Sequence, residues 1–208
     1  MFRSILYIIG SIGVFFAGVV SYGFILNLRE IPLDVAMEQK GISELDDVYL
    51  VIDRTKYTIT LYSGETEVKT FKAAFGKNRG RIKRSKEDNI TPVGDYKVCE
   101  IREHEVYYKI IKLNYPNRND ASESLRRGYI SERDFNKIIV ALESGNCADS
   151  TTILGANIGI HGLGKYDIVF RNLPFVFNWT NGSVAVSNRN IDELSSVVDI
   201  GTRVEIIH

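Results

Sequence analysis

An apolar stretch near the N-terminus differs from everything that follows it. From Ile5 to Leu26 the residues are almost wholly hydrophobic, interrupted only by Gly, Ser and Tyr, and none of them carries a charge. A helix of roughly twenty such residues is long enough to cross the hydrocarbon core of a bilayer. The pattern therefore predicts a membrane anchor or signal-anchor within residues 1–28.

The charges beside this stretch predict its orientation. Arg3 precedes it, whereas Arg29 and Glu30 follow it and cancel, so the positive-inside rule favours a cytoplasmic N-terminus. The rest of the chain would then lie in the periplasm or otherwise outside the cytoplasmic membrane. A cleaved signal peptide is the alternative, but it would have a shorter apolar region followed by a small-x-small cleavage site.

A predicted stem, residues 29–47, separates this anchor from a folded domain. Pro32 suits the first position of a helix and Gly41 suits a helix end, so the stem is expected to hold one short helix. The domain is expected to occupy residues 48–208.

At Val48 the hydrophobic period changes to two. After an apolar run, Tyr57, Ile59 and Leu61 alternate with polar or amphipathic neighbours, and a further run reaches Phe75. Alternation of this kind is typical of half-buried strands. It predicts a β-meander of three strands at the start of the domain.

Shorter strands and two helices complete the pattern. Ser131 is a candidate N-cap for one helix, and Ser187 or Asn188 for another. Further strands are expected at Tyr96–Cys99, Tyr107–Leu113, Thr151–His161, Val184–Val186 and Arg203–Ile207. The whole pattern predicts a mainly β (α+β) domain, a mixed β-sandwich with a few short helices.

Composition narrows the function further. A chain of 208 residues that is 44% hydrophobic can bury one good core. Its 26 basic residues balance 26 acidic ones, which argues against nucleic acid as a partner.

The two cysteines, Cys99 and Cys147, are expected to be buried free thiols, or to pair if the domain is exported. No His or Cys cluster has metal-ligand spacing, so no metal or cofactor is expected. His104 and His208 are expected to be solvated.

Candidate chemistry is concentrated in two segments. The first, Ile158–Gly162, is an apolar strand that ends in His161 and Gly162. The second, Asn178–Asn188, contains a Gly182-Ser183 corner, a short apolar strand and a helix start. A corner of this kind exposes its side chain and directs backbone N–H groups to one place, which suits a nucleophile beside an oxyanion hole.

These segments resemble the L,D-transpeptidase catalytic domain, the YkuD family of bacterial cell-wall enzymes. The family pattern is His-Gly, a gap, and then a motif with a catalytic cysteine, which in one branch reads Asp-Trp-Thr-x-Gly-Cys-Ile-Ala. The stretch from Asn178 to Ala185 is similar to that branch, with Asn178 for the Asp and Ser183 for the Cys. Thr91-Pro-Val-Gly94, before Tyr96, also resembles the family.

The resemblance implies acyl transfer between peptidoglycan stem peptides. It makes His161 the base, Ser183 the nucleophile position, and the N–H groups of Gly182 and Ser183 the oxyanion donors. It also suggests substrate contacts for further residues, namely Gly162, Trp179, Thr180, Asn181 and Asn188. The expected partners are wall peptides and the membrane, and a monomer is expected. Asn181 stands where the commoner family pattern has a second His, and Ala185 where it has Arg or Asn.

The serine leaves the activity open. A thiol titrates near pH 8.5 and lower beside an imidazolium, whereas a serine hydroxyl needs a relay such as Ser-His-Asp. Asp167 follows His161 by six residues, but this spacing does not show that it reaches the ring. Ser183 could be an engineered Cys→Ser change, mark a natural wall-binding pseudoenzyme, or serve a serine acyltransferase or peptidase. An unrelated secreted β-sandwich adhesin is a more distant alternative.

A basic loop lies between the meander and Thr91. Its six cations are Lys77, Arg79, Arg81, Lys83, Arg84 and Lys86. They could hold carboxylates of a peptide substrate or anionic head groups, or they could form an ordinary solvated loop.

Overall fold

A computed structural model of the protein describes residues 2–28, 30–80, 82–148, 151–173 and 176–208. Arg29 and Arg81 therefore lie outside the described residues. The helices are α1 Phe2–Leu28, α2 Leu33–Gln39, α3 Arg118–Arg126, α4 Glu132–Glu143, α5 Asp167–Phe170 and α6 Asn188–Ser195. The strands are β1 Val48–Asp53, β2 Thr58–Ser63, β3 Thr66–Lys72, β4 Gly94–His104, β5 Tyr108–Leu113, β6 Gly159–His161, β7 Val184–Ala185 and β8 Arg203–Ile207.

The N-terminal apolar stretch is one long helix, α1, as predicted. Within it, Arg3–Ile25 is long and apolar enough to cross a membrane. Its large apolar side chains are mostly exposed. The short helix of the stem is also present as α2. Pro32 is its N-cap residue and not its first helical residue as predicted, so the helix begins one residue later, at Leu33.

The strands form one mixed sheet of eight, in the order β3-β2-β1-β8-β4-β5-β6-β7. The pairs β1–β8 and β6–β7 are parallel, and the other neighbours are antiparallel. The meander β1–β2–β3 and the last strand, β8, agree with the sequence pattern. A mixed sheet with several helices and an apolar N-terminal helix confirms the predicted fold class.

Strand β4 joins the two halves of this sheet. Its first residues, Gly94–Lys97, pair with β8, and its later residues, Val98–His104, pair with β5. Beyond β3, an isolated bridge pairs Ala74 with Ala185 of β7, so the two ends of the strand order meet. One core fills the space between the halves, including Leu50, Ile59, Ile111, Ile160 and Val184. The sheet thus bends around its core and brings β6 and β7 against the end of β3.

Helices α3 and α4 enclose a second, smaller apolar cluster. Its buried members are Ala121, Ile130, Ile138 and Leu154. Helix α4 was predicted, and its N-cap Ser131 accepts a hydrogen bond from the backbone N–H of Asp134. Helix α3 was not predicted, because its sequence is largely polar and shows no apolar stripe.

Two predictions about the fold are wrong. The strand expected at Thr151–His161 is confined to Gly159–His161; before it the chain turns, with Gly155 at a φ of +72°. Cys99 and Cys147 are not free thiols but form a disulfide, with their Cα atoms 5.3 Å apart. The hairpin of α3 and α4 returns the chain to β4 and so brings Cys147 to Cys99. The two cysteines are 48 residues apart in the sequence, so no local pattern predicts that they meet.

Candidate active site

Strands β6 and β7 place the two candidate segments side by side. Ile160 pairs with Val184 and His161 with Ala185, so Ser183 lies next to Gly159. Since alternate residues of a strand face the same side, His161 and Ser183 point to one face of the sheet. Both line a cleft of about 410 Å³, together with Trp179, Thr180 and Asn181.

His161 is buried and its ring is oriented by the backbone. Its Nδ1 lies 2.8 Å from the carbonyl oxygen of Gly162. Because a carbonyl only accepts, Nδ1 carries the hydrogen, and Nε2 of the neutral ring is left as the acceptor. Burial lowers the pKa of His161, so the ring is neutral at pH 7. The centroid of the Tyr107 ring lies 4.4 Å away and that of Trp179 lies 6.0 Å away.

The turn that presents Ser183 is closed by a threonine. The Thr180 hydroxyl donates to the carbonyl oxygen of Ser183 at 2.6 Å and accepts from the N–H of Gly182 at 3.2 Å. The N–H of Gly182, expected to be an oxyanion donor, is thus used within the turn. No described hydrogen bond uses the N–H of Ser183. Asn178 fixes the start of this segment, since its Oδ1 accepts from the N–H of Phe75.

The Ser183 hydroxyl makes its hydrogen bond with the backbone, not with His161. It donates to the carbonyl oxygen of Asn157 at 3.0 Å. Asp167 does not complete a relay either: its carboxylate accepts from the N–H of Asn188 at 2.8 Å and lies 3.3 Å from Arg171 Nη1. Among the described residues, no carboxylate orients His161; the Gly162 carbonyl does so.

Two of the expected substrate contacts lie behind the cleft. A Cβ on Gly162 would come 2.7 Å from Asn188 Oδ1, so this glycine permits close packing. The Asn188 amide brackets Gly164, accepting from its N–H and donating to its carbonyl oxygen, each at 2.9 Å. Ser187, not Asn188, caps α6. In this structure both Gly162 and Asn188 support the loop that follows β6.

Several lining residues had no sequence signal. Tyr107 reaches the site because β5 pairs with β6, with Ile110 opposite His161, and Asn157 reaches Ser183 because β6 pairs with β7. His104, expected to be solvated, is half-buried on the cleft wall, and its Nδ1 accepts from the N–H groups of Val106 and Tyr107. Across the described parts of the chain, no group of three His, Cys, Asp or Glu side chains could hold a metal.

Comparison with known proteins identifies a family for most of the chain. Residues 47–206 match YkuD, the L,D-transpeptidase catalytic domain. No curated protein matches the sequence significantly.

Solved structures of similar fold include an L,D-transpeptidase and a cell shape determining protein. A variant of the helical cell shape determining protein Pgp2 from Campylobacter jejuni is 18% identical with a TM-score of 0.51, over 84% of this chain and 53% of that one. Bd1075 from Bdellovibrio bacteriovorus is 19% identical with a TM-score of 0.49, over 78% and 48%. An L,D-transpeptidase from Xylanimonas cellulosilytica is 16% identical with a TM-score of 0.44, over 85% and 70%. This chain thus spans about half the length of the Bdellovibrio and Campylobacter proteins.

Proposed function

Because the chain belongs to the YkuD family of L,D-transpeptidase catalytic domains, we propose that it binds peptidoglycan stem peptides without transferring their acyl group. The observation that carries this proposal is the hydroxyl of Ser183, which donates to the Asn157 carbonyl oxygen while His161 is held by Gly162. His161 and Ser183 line one cleft, but no activated nucleophile stands in it. The chain is then a wall-binding pseudoenzyme.

The chemical argument rests on what acyl transfer requires. A nucleophile must attack the peptide carbonyl, a base must take its proton, and donors must stabilise the tetrahedral oxyanion. A cysteine beside His161 could ionise before attack, whereas a serine hydroxyl stays protonated without a base in hydrogen-bond reach. The Ser183 proton is directed to a carbonyl that cannot take it. Binding is therefore favoured over turnover.

One observation favours the enzyme as a second candidate. His161 is neutral, its Nε2 is left as an acceptor, and it lines the same cleft as Ser183. A rotation of the serine side chain away from Asn157 could present its hydroxyl to the ring. Ser183 would then act as a slow nucleophile in the family reaction.

Intact-protein mass spectrometry distinguishes the two candidates. The full chain in detergent would be incubated with a tetrapeptide-stem muropeptide, alongside Ser183→Cys and a Ser183→Cys/His161→Ala double variant. We expect binding without an adduct for Ser183, an acyl adduct with loss of the terminal residue for Ser183→Cys, and no adduct for the double variant. An adduct on Ser183 itself, or no binding of the muropeptide, would overturn the pseudoenzyme proposal.

The position of the protein in the cell belongs to the same proposal. Helix α1 would anchor the chain, with the domain on the outer side of the cytoplasmic membrane. The disulfide between Cys99 and Cys147 supports this location, because such bonds persist in oxidising compartments. By likeness to the helical cell shape determining protein Pgp2, a contribution to cell shape is also proposed.

A further inference from the structure

The charged side chains that line the cleft all carry positive charge. Four cationic side chains line it, namely Lys83, Lys86, Arg102 and Lys112. Among the described lining residues none is Asp or Glu. A half-enclosed cleft lined by one sign of charge concentrates ligands of the opposite sign. The wall therefore favours an anionic ligand, and the position of each cation decides which part of it can be bound.

Lys83 is buried behind the turn that carries Ser183. Its side chain is 3% exposed, and its Nζ lies 2.7 Å from Asp88 Oδ1. The same ammonium lies 3.3 Å from the position that a Cβ on Gly182 would occupy. Asp88 also accepts backbone N–H groups of its own loop, which fixes the pair. Because Asp88 balances its charge, Lys83 serves to build the turn more than to attract a ligand.

Lys112 is the cation best placed for a ligand at Ser183. It pairs in register with Gly159, and Ser183 lies on the other side of Gly159. Residues opposite one another in neighbouring strands project to the same face. Since the glycine between them has no side chain, the space between Lys112 and Ser183 is open. No ion pair of Lys112 occurs among the described residues, and its side chain is half-buried.

Arg102 lies on β4, on the same face of the sheet as Lys112. It pairs with Ile110, which in turn pairs with His161. Its Nε lies 2.9 Å from Glu100 Oε1, but this pair is well exposed, at 48% and 41%, and water weakens it. A guanidinium can therefore turn its remaining N–H groups to a ligand carboxylate.

We propose that Lys112 and Arg102 form a carboxylate-binding subsite on the face of the sheet that carries His161 and Ser183, so that the cleft prefers peptides with free carboxylates to the same peptides with amidated carboxyl groups. This inference rests on the proposed function, since it names the chemistry of the stem peptide that the site takes. Lys112, two strands from Ser183, contributes a point charge. Arg102, one strand further along the same face, contributes directional N–H donors.

The test compares two ligands on three forms of the full chain in detergent. The ligands are a tetrapeptide stem with free side-chain carboxylates and the same peptide with those carboxylates amidated. The proteins are the unaltered chain, Lys112→Gln, and Lys137→Gln as a matched control. Lys137 is exposed on α4 and does not line the cleft. Dissociation constants would be measured by calorimetry, with circular dichroism to check folding.

For the free-acid peptide we expect Lys112→Gln to bind about tenfold more weakly than the unaltered chain, because a charge-assisted contact is lost. For the amidated peptide the two proteins should bind equally, and Lys137→Gln should match the unaltered chain throughout. Equal affinity of the unaltered chain for both peptides, or the same loss for both on Lys112→Gln, would overturn the subsite and leave the proposed function standing. Failure to bind either peptide would overturn both.

Discussion

At the scale of single residues, Gly182 occupies a position that other residues cannot adopt without strain. Its φ is +124°, and a Cβ there would come 2.8 Å from the carbonyl oxygen of Ile90. Gly201 has a comparable φ of +98°, but nothing lies within 4 Å of its Cβ position. The two glycines thus share the backbone requirement and differ only in the contact.

Substitution by alanine separates these two causes. Gly201→Ala should lower the free energy of unfolding by about 1 kcal/mol, through backbone strain alone. Gly182→Ala should cost about 1–3 kcal/mol more, because the methyl group also forces the turn away from Ile90. Urea denaturation of both variants measures the difference. Equal losses would show that the close contact at Gly182 is not a constraint.

At this scale the sequence predicted only those site residues that belong to local motifs. The His-Gly and Trp-Thr-x-Gly-Ser segments singled out His161, Trp179 and Ser183, all of which line the cleft. The acceptor of the Ser183 hydroxyl, Asn157, could not be predicted, because strand pairing and not spacing brings it there. The roles proposed for these residues in catalysis and binding stay predictions.

At the scale of elements, the N-terminus of α3 contains a carboxyl group that changes stability with pH. Asp120 accepts from the N–H of Asn117 at 3.0 Å, inside a capping box, and burial raises the pKa of Asp120 to about 6. The ordinary value is 3.8. Between these two values the folded chain holds a proton that the unfolded chain releases, so stability falls as pH rises through that range and levels off above it.

Replacing this carboxyl group should remove its share of the pH dependence. Asp120→Asn keeps an oxygen that can accept from Asn117 but does not titrate in this range. We expect the stability of the unaltered chain relative to Asp120→Asn to fall by about 2 kcal/mol between pH 4 and pH 6.5. Chemical denaturation at both values measures this difference. A difference that is the same at both pH values would contradict the shifted pKa of Asp120.

Elements with strong periodicity were predictable, and those set by distant contacts were not. Apolar runs and alternation predicted β1, β2, β3 and β8, and Ser131 with the apolar face after it predicted α4. The run from Thr151 to Ile158 contains β-branched residues, but its backbone turns at Gly155 and lines the cleft instead. The pairing of Cys99 with Cys147 depends on how the α3–α4 hairpin folds back, which no local pattern encodes.

At the scale of the whole molecule, the anchor and the disulfide lead to one prediction about orientation. Alkaline phosphatase, which is active only outside the cytoplasm, would be fused after His208. We expect enzyme activity from cells expressing the fusion, because α1 should direct the domain across the membrane. A matched fusion without residues 2–28 should be inactive. Activity of a cytoplasmic fluorescent reporter at the same position, with an inactive phosphatase, would contradict the proposed location.

The position of β8 in the sheet has a consequence for when the domain can fold. Residues 203–207 lie between β1 and β4 and hydrogen-bond to both, so they close the middle of the sheet. A ribosome makes them some 150 residues after β1, and until then both neighbours have an unpaired edge in place of this partner. Long-range pairing of this kind delays folding until the distant strand is available. The nascent domain would therefore remain open during synthesis, which is the state in which a chain can be threaded through a narrow translocation channel.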